Sequence, residues 1–146
     1  MYTQILIATD GSEDAKIAAE HAVGLARQYE TKLHALYVIE VRTAYDNAIV
    51  KPEIVHQNLR EEGANALEAI ETVARTDVDL RTSIREGIPH EEILNYAIEH
   101  EIDLIVMGKT GKSAFKTILL GNATEAVLRS ATVPVVVVGS TKATEA

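Results

Sequence analysis

The sequence predicts an α/β fold: a single doubly wound domain with a five-stranded parallel sheet of order 3-2-1-4-5 and four helices. Three observations carry that prediction. Four apolar runs are continuous and rich in β-branched residues, as strands buried on both faces of a parallel sheet are. Segments with small and apolar residues at helical spacing alternate with them. A fifth strand segment alternates apolar and polar residues instead, which suits a sheet edge with one wetter face.

The first strand is the run Ile5, Leu6, Ile7 and Ala8. A helix follows, in which Ala15, Ala18, Ala19, Ala22 and Ala26 form a stripe of small residues suited to close packing on a sheet. Ser12 is placed to cap its start, with Glu13 and Asp14 at the positive end of the helix dipole. Leu36, Tyr37, Val38 and Ile39 make the second strand. Leu59, Gly63, Ala66, Leu67, Ile70, Val73 and Ala74 mark a second, longer helix. Residues 78–85 are the alternating strand. Pro89 suits the first position of the third helix, where Ile93, Leu94, Ala97 and Ile98 are expected to face inward. Leu104, Ile105, Val106 and Met107 form the fourth strand. The fourth helix runs from about 122 to 130, with Asn122 and Glu125 as an Asn variant of the capping box. Val135, Val136, Val137 and Val138 complete the sheet. The domain is expected to span residues 1–139, and residues 140–146 to form a flexible tail.

Right-handed crossovers leave few topologies, and order 3-2-1-4-5 sets the alternating strand at one edge and the valine strand at the other. It also sets the first and fourth strands side by side at the topological switch point, where ligands bind outside the carboxyl ends of the strands. Asp10 ends the first strand and Gly108 the fourth, so their loops should meet in one crevice. The long segment from Glu40 to Lys51, with Arg42, Tyr45 and Asp46, is either a lid over that crevice or a merely mobile loop.

Composition narrows the function. A chain of 146 residues can bury about two thirds of its unfolded surface in one core. No apolar run approaches the ~20 residues that span a bilayer, so no membrane association is expected. Met1, Tyr2, Thr3 and Gln4 lack the character of a signal peptide, and there is no cysteine, which together suggest the cytoplasm. A net charge of −8 argues against nucleic acid, whose backbone demands a basic face. The five histidines, His21, His34, His56, His90 and His100, show no metal-ligand spacing and are expected to be structural or solvent-facing.

Against that acidic background stands Gly108-Lys109-Thr110-Gly111-Lys112-Ser113, followed by Gly121-Asn122. The glycines have two readings, plain turn chemistry or a backbone cradle for phosphate. Lysines 109, 112 and 116, the switch point and a helix start at Asn122 favour the cradle. Either Lys109 or Lys112 is expected to face the phosphates, with Lys116 on the surface. A Walker A loop is excluded, because Val106 stands in mid-strand where its first glycine belongs. Asp10 is either a turn former or a ligand for a ribose hydroxyl or a metal ion.

The pattern G-x2-G-x9-G resembles the ATP-binding type of the universal stress protein family, with Asn122 in place of the usual Ser or Thr after the last glycine. The resemblance covers nearly the whole chain. It includes residues 5–12, Glu86-Gly87-Ile88-Pro89, residues 103–108 and residues 133–138. It implies a Rossmann-like site for ATP with Mg2+ or Mn2+. Thr9 and Asp10 would lie at the ribose or the phosphate-metal region, with Asp10 as the metal contact. The backbone of Val38 would meet adenine, and Met107 and Gly108 would line the nucleotide. Gly111, Gly121, Asn122 and Ala123 would surround the phosphates, and the local charge of Lys109 and Lys112, read from the lysine cluster itself, would suit them. Members commonly dimerise through the last strand. The uncharged strand 135–138 would otherwise expose unpaired backbone at a sheet edge, so a homodimer is expected here.

Three functions follow from these readings. The leading one is an ATP-binding stress-response or regulatory protein in which occupancy modulates dimer or partner interactions, the protein partner being unknown. A weak ATP hydrolase is the second, and a dimeric interaction module without nucleotide the third. Efficient turnover lacks support, because no histidine or serine has a recognisable catalytic partner. The ATP-pyrophosphatase loop S-G-G-x-D-S is absent, and the third strand ends without the phosphoacceptor aspartate of a receiver domain. An acidic loop after the first strand counts against flavin phosphate.

Overall fold

The computed structural model describes residues 2–40, 52–111 and 120–140. Residues 41–51, Lys112, Lys116 and the tail beyond Ser140, on which expectations were stated above, lie outside them. Nine elements alternate: β1 (Gln4–Thr9), α1 (Glu13–Tyr29), β2 (Lys32–Ile39), α2 (Pro52–Ala74), β3 (Asp79–Glu86), α3 (Pro89–Glu99), β4 (Leu104–Gly108), α4 (Asn122–Ser130) and β5 (Val135–Val138). The strands form one parallel sheet in the order β3-β2-β1-β4-β5, as the sequence predicts. Ile5 pairs with both Leu33 and Leu104, which centres the apolar runs on β1.

Two apolar layers cover the sheet. Ile5, Ile7, Leu33, Ala35 and Val106 meet α1 and α2 on one face. Leu6, Leu36, Ile105 and Met107 meet α3 and α4 on the other. The alanine stripe of α1 is buried as expected, and Ser12 caps this helix by accepting from the Ala15 amide. Gly63 lets α2 settle on Tyr37, since a Cβ there would stand 2.8 Å from the tyrosine ring. β3 lies at the edge with Asp79, Arg81, Thr82 and Glu86 exposed.

Three local expectations are corrected. The fourth helix is capped by Gly121 and begins at Asn122, so no Asn capping box forms; Glu125 pairs with Arg129 one turn on. Ile98 is 74% exposed, because it lies about 100° around α3 from buried Ala97, beyond the inward stripe. β2 also begins at Lys32, ahead of the apolar run, because Lys32 and His34 interrupt the pattern that sequence reading follows.

His34 is the one buried histidine among the described residues. Its Nδ1 lies 2.7 Å from the Tyr96 hydroxyl and its Nε2 2.7 Å from Gln4 Oε1. The neutral tautomer that donates from Nε2 satisfies both contacts. Tyr96 is stacked on His100 with ring centres 4.1 Å apart, and the Arg85 guanidinium lies 4.8 Å over the Tyr96 ring. Arg85 also pairs with Glu99 and Glu92. Its hydrogen bond holds the Glu99 carboxyl below the usual carboxylate range.

Candidate functional site: the crevice at the carboxyl ends of β1 and β4

β1 and β4 are adjacent and parallel, so the turn after Thr9 and the loop after Gly108 leave the sheet side by side. Thr9 is buried and its Oγ1 accepts from the Gly11 amide at 3.1 Å. Asp10 Oδ1 accepts from the Ser12 amide at 2.9 Å, which makes an Asx turn. Gly11 follows with φ 79°, in the left-handed region that glycine enters without strain. The turn thus delivers Ser12 to the start of α1, where its hydroxyl accepts from Ala15 and donates to the Thr110 carbonyl at 3.4 Å.

The glycine loop is fastened at several points. The Lys109 amide donates to the Val138 carbonyl at 2.8 Å, and the Gly121 amide donates to the Lys109 carbonyl at 2.9 Å. The Thr124 hydroxyl, buried in the first turn of α4, donates to the Gly108 carbonyl at 2.9 Å. Asp14 accepts from both the amide and the hydroxyl of Thr110. Residues 108–111 and 121 are therefore brought together by backbone and by short polar side chains.

Three glycines matter because of what a side chain would strike. A Cβ on Gly108 would stand 2.8 Å from the backbone of Asp14 and Ala15, so this glycine lets α1 cross the end of β4. One on Gly111 would stand 2.5 Å from Asp10 Oδ2, and one on Gly121 3.3 Å from the Gly111 amide nitrogen. Gly121 lies against the backbone of Lys109, Thr110 and Gly111, and Gly111 lies against Asp10. The start of α4 beside them receives no hydrogen bond from a capping side chain among the described residues.

The remaining residues named from the sequence divide by what their side chains do. Met107 is buried in the layer under α3 and α4, and Val38 and Ala123, both half-buried, pack against that layer. Asn122 is exposed at the first position of α4. The aliphatic stem of Lys109 lies against Gly139. Tyr37, at the end of β2, has its hydroxyl pKa raised, first by burial and then by the charges of Glu62 and Asp10. Sequence reading missed Asp14, Thr110 and Thr124 as the ties of this loop. Thr110, a short polar residue between two glycines, was the available signal; Asp14 carries none, because 96 residues separate it from its partner.

The described residues hold no group of three His, Cys, Asp or Glu side chains able to bind a metal. A divalent ion would come with the phosphates of a nucleotide, as Mg2+ commonly does, with one carboxylate as protein ligand. The Oδ2 of Asp10, beside Gly111, suits that part.

A sheet of this order, with the loops after β1 and β4 meeting at its switch point, defines a doubly wound α/β domain. The chain belongs to the universal stress protein family, whose model matches residues 1–139. It is 38% identical to universal stress protein MJ0531 of Methanocaldococcus jannaschii over 144 residues, covering 97% of this chain and 85% of that one. Among solved structures it resembles universal stress protein UspA from Lactobacillus plantarum, with 36% identity, a TM-score of 0.77, and coverage of 94% and 97%. It also resembles protein MJ0577, with 35% identity, a TM-score of 0.83, and coverage of 96% and 97%. No described helix is long and apolar enough to cross a membrane.

Proposed function

We propose that this stress protein binds ATP in the crevice between the β1 turn and the glycine loop, and that occupancy modulates its self-association or its choice of protein partner. One observation carries the reading: Gly111 and Gly121 touch beside Asp10 at an uncapped helix start. That is a surface of closely packed backbone at a helix start, and it suits a phosphate chain. The resemblance to the ATP-binding type of the family supports the same reading. So do family structures solved with cAMP and with dAMP, which at 22% and 18% identity share the fold with this chain.

In this reading Thr9 and Asp10 face the ribose and phosphates, and Asp10 Oδ2 accompanies Mg2+ or Mn2+. The backbone of Val38, Met107 and Gly108 borders the nucleoside. Gly111, Gly121, Asn122 and Ala123 surround the phosphates, with Lys109 and Lys112 lending charge. The domain would end near residue 139, and a cytoplasmic setting belongs to the same proposal. A homodimer through 135–138 is part of it too, supported by a strand of four valines that, among the described residues, is paired on one side only, with β4.

Calorimetric titration of the nucleotide-free protein with ATP and Mg2+ tests the site. We expect one ATP per chain, with affinity lost in Gly111→Val, whose side chain would drive into the Asp10 carboxylate. No heat from the wild-type protein would end the nucleotide reading and leave the interaction module. A monomer in sedimentation at micromolar concentration would end the dimer.

A further inference from the structure

We infer that Asp14 is a positioning residue that carries the state of the glycine loop to the chain's exit from the β5 edge. The inference rests on the nucleotide reading and names a regulation of that same site. Asp14 lies in the first turn of α1, where an acid already suits the helix dipole without further partners. Capping of α1 falls to Ser12. Both Asp14 oxygens are engaged by distant segments instead. Oδ2 accepts from the Thr110 amide at 3.2 Å and from its hydroxyl at 2.7 Å, while Oδ1 accepts from the Ser140 amide at 3.1 Å.

One planar carboxylate thus joins the start of α1, the loop after β4 and the segment leaving β5. Hydrogen bonds to an ionised acceptor are stronger than neutral ones, so these ties weigh more than their number suggests. The ladder beneath them ends at the bond from the Lys109 amide to the Val138 carbonyl. Asp14 reaches beyond that bond on both sides, to Thr110 in one segment and Ser140 in the other. Because the carboxylate is rigid, turning one oxygen to follow Thr110 moves the other relative to Ser140.

Phosphates drawn to the amides around Gly111 and Gly121 would order Thr110, orient Asp14 and hold Ser140. The same carboxylate works in reverse. Whatever fixes the exit from β5 raises nucleotide affinity by the factor with which nucleotide fixes that exit. This gives the modulation of self-association or partner choice a physical route, from glycine loop to sheet edge, through one side chain.

Amide hydrogen exchange on the full chain, with and without Mg-ATP, tests it. In the wild-type protein we expect ATP to slow the Gly121 amide, and to slow the Ser140 amide at least fivefold. In Asp14→Ala, ATP should still slow Gly121 while the response at Ser140 disappears. An undiminished Ser140 response in that variant overturns the inference, as does wild-type protection at Gly121 with none at Ser140. An arm without nucleotide separates the two possible failures. Thr110→Val removes the hydroxyl that donates to Asp14 and should speed exchange at Ser140 at least threefold. If ATP protects no amide, the nucleotide reading falls and nucleotide control of the β5 exit falls with it. The tie itself is then judged on Thr110→Val: faster Ser140 exchange retains it, and unchanged exchange overturns it.

Discussion

The crevice at the ends of β1 and β4 and the cluster under α3 solve the same problem, polar groups beside an apolar core, by opposite means. The crevice is built from backbone and from the short side chains of Thr9, Ser12, Asp14, Thr110 and Thr124. What it needs most is the absence of Cβ atoms. The α3 cluster is built from long and aromatic side chains, Gln4, His34, Arg85, Tyr96 and His100, gathered from four elements and the residue after α3. What it needs most is one protonation state. The close-packed backbone should thus respond first to added volume, and the aromatic cluster first to pH.

The largest effect expected from breaking this contrast is at Gly108. In Gly108→Val the new Cβ meets backbone of α1 at 2.8 Å, and backbone of a helix start cannot swing aside as a side-chain tip can. Overpacking a fitted site costs typically 1–3 kcal/mol, and with the main chain as obstacle we expect about 3 kcal/mol or more. Urea denaturation at pH 7.5 and 5.5 would measure it. The loss should be the same at both, and a loss below about 1 kcal/mol would mean that α1 can lift from β4.

Acid should act on the other region. The His34 pKa is lowered to about 4, first by burial and then by the positive charges of His100, Lys32 and Arg81, with Asp79 opposing in part. The unfolded chain, with histidine near its ordinary 6.5, therefore binds more protons between pH 6.5 and 4. Stability attached to neutral His34 is complete above pH 6.5 and drains away as pH falls through that window. Its size follows from the shift, about 2–3 kcal/mol by pH 4. His34→Leu should be less stable than the parent at pH 7.5, because Tyr96 and Gln4 lose a partner, yet should lack this part of the acid loss. Parallel stability curves for the two proteins from pH 7 to 4 would refute it.

The same contrast explains what the sequence disclosed. The crevice was legible because its parts are local: three glycines, a strand before them, a helix after them, and Asp10 before Gly11 at a strand end. Apolar runs fixed β1, β4 and β5, and crossover handedness then brought the two loops together. The α3 cluster was not legible, because no spacing rule connects residues 4, 34, 85, 96 and 100. His34 was expected to be structural or solvent-facing, and its burial became visible only once β2 was seen to start at Lys32. Asp14 escaped for a related reason. An acid in the first turn of a helix already has a sufficient explanation, so nothing in the sequence sends its oxygens to Thr110 and Ser140.

Ile98 offers the smallest effect and the sharpest control, since it shares α3 with the cluster and takes no part in it. Sequence periodicity counted it with Ile93 and Ala97, but the inward stripe is completed by Tyr96, and Ile98 stands 74% exposed. A side chain so exposed in the folded chain gives up little when replaced, and glutamate is the better helix former. Ile98→Glu should therefore change stability by no more than about 0.5 kcal/mol, at neutral pH and at pH 5 alike. Denaturation at low and high protein concentration would read it. A loss above 1 kcal/mol confined to high concentration would mean that a second copy covers this turn of α3. The cluster's outer surface would then be an interface, and the acid response of His34 would reach beyond a single chain.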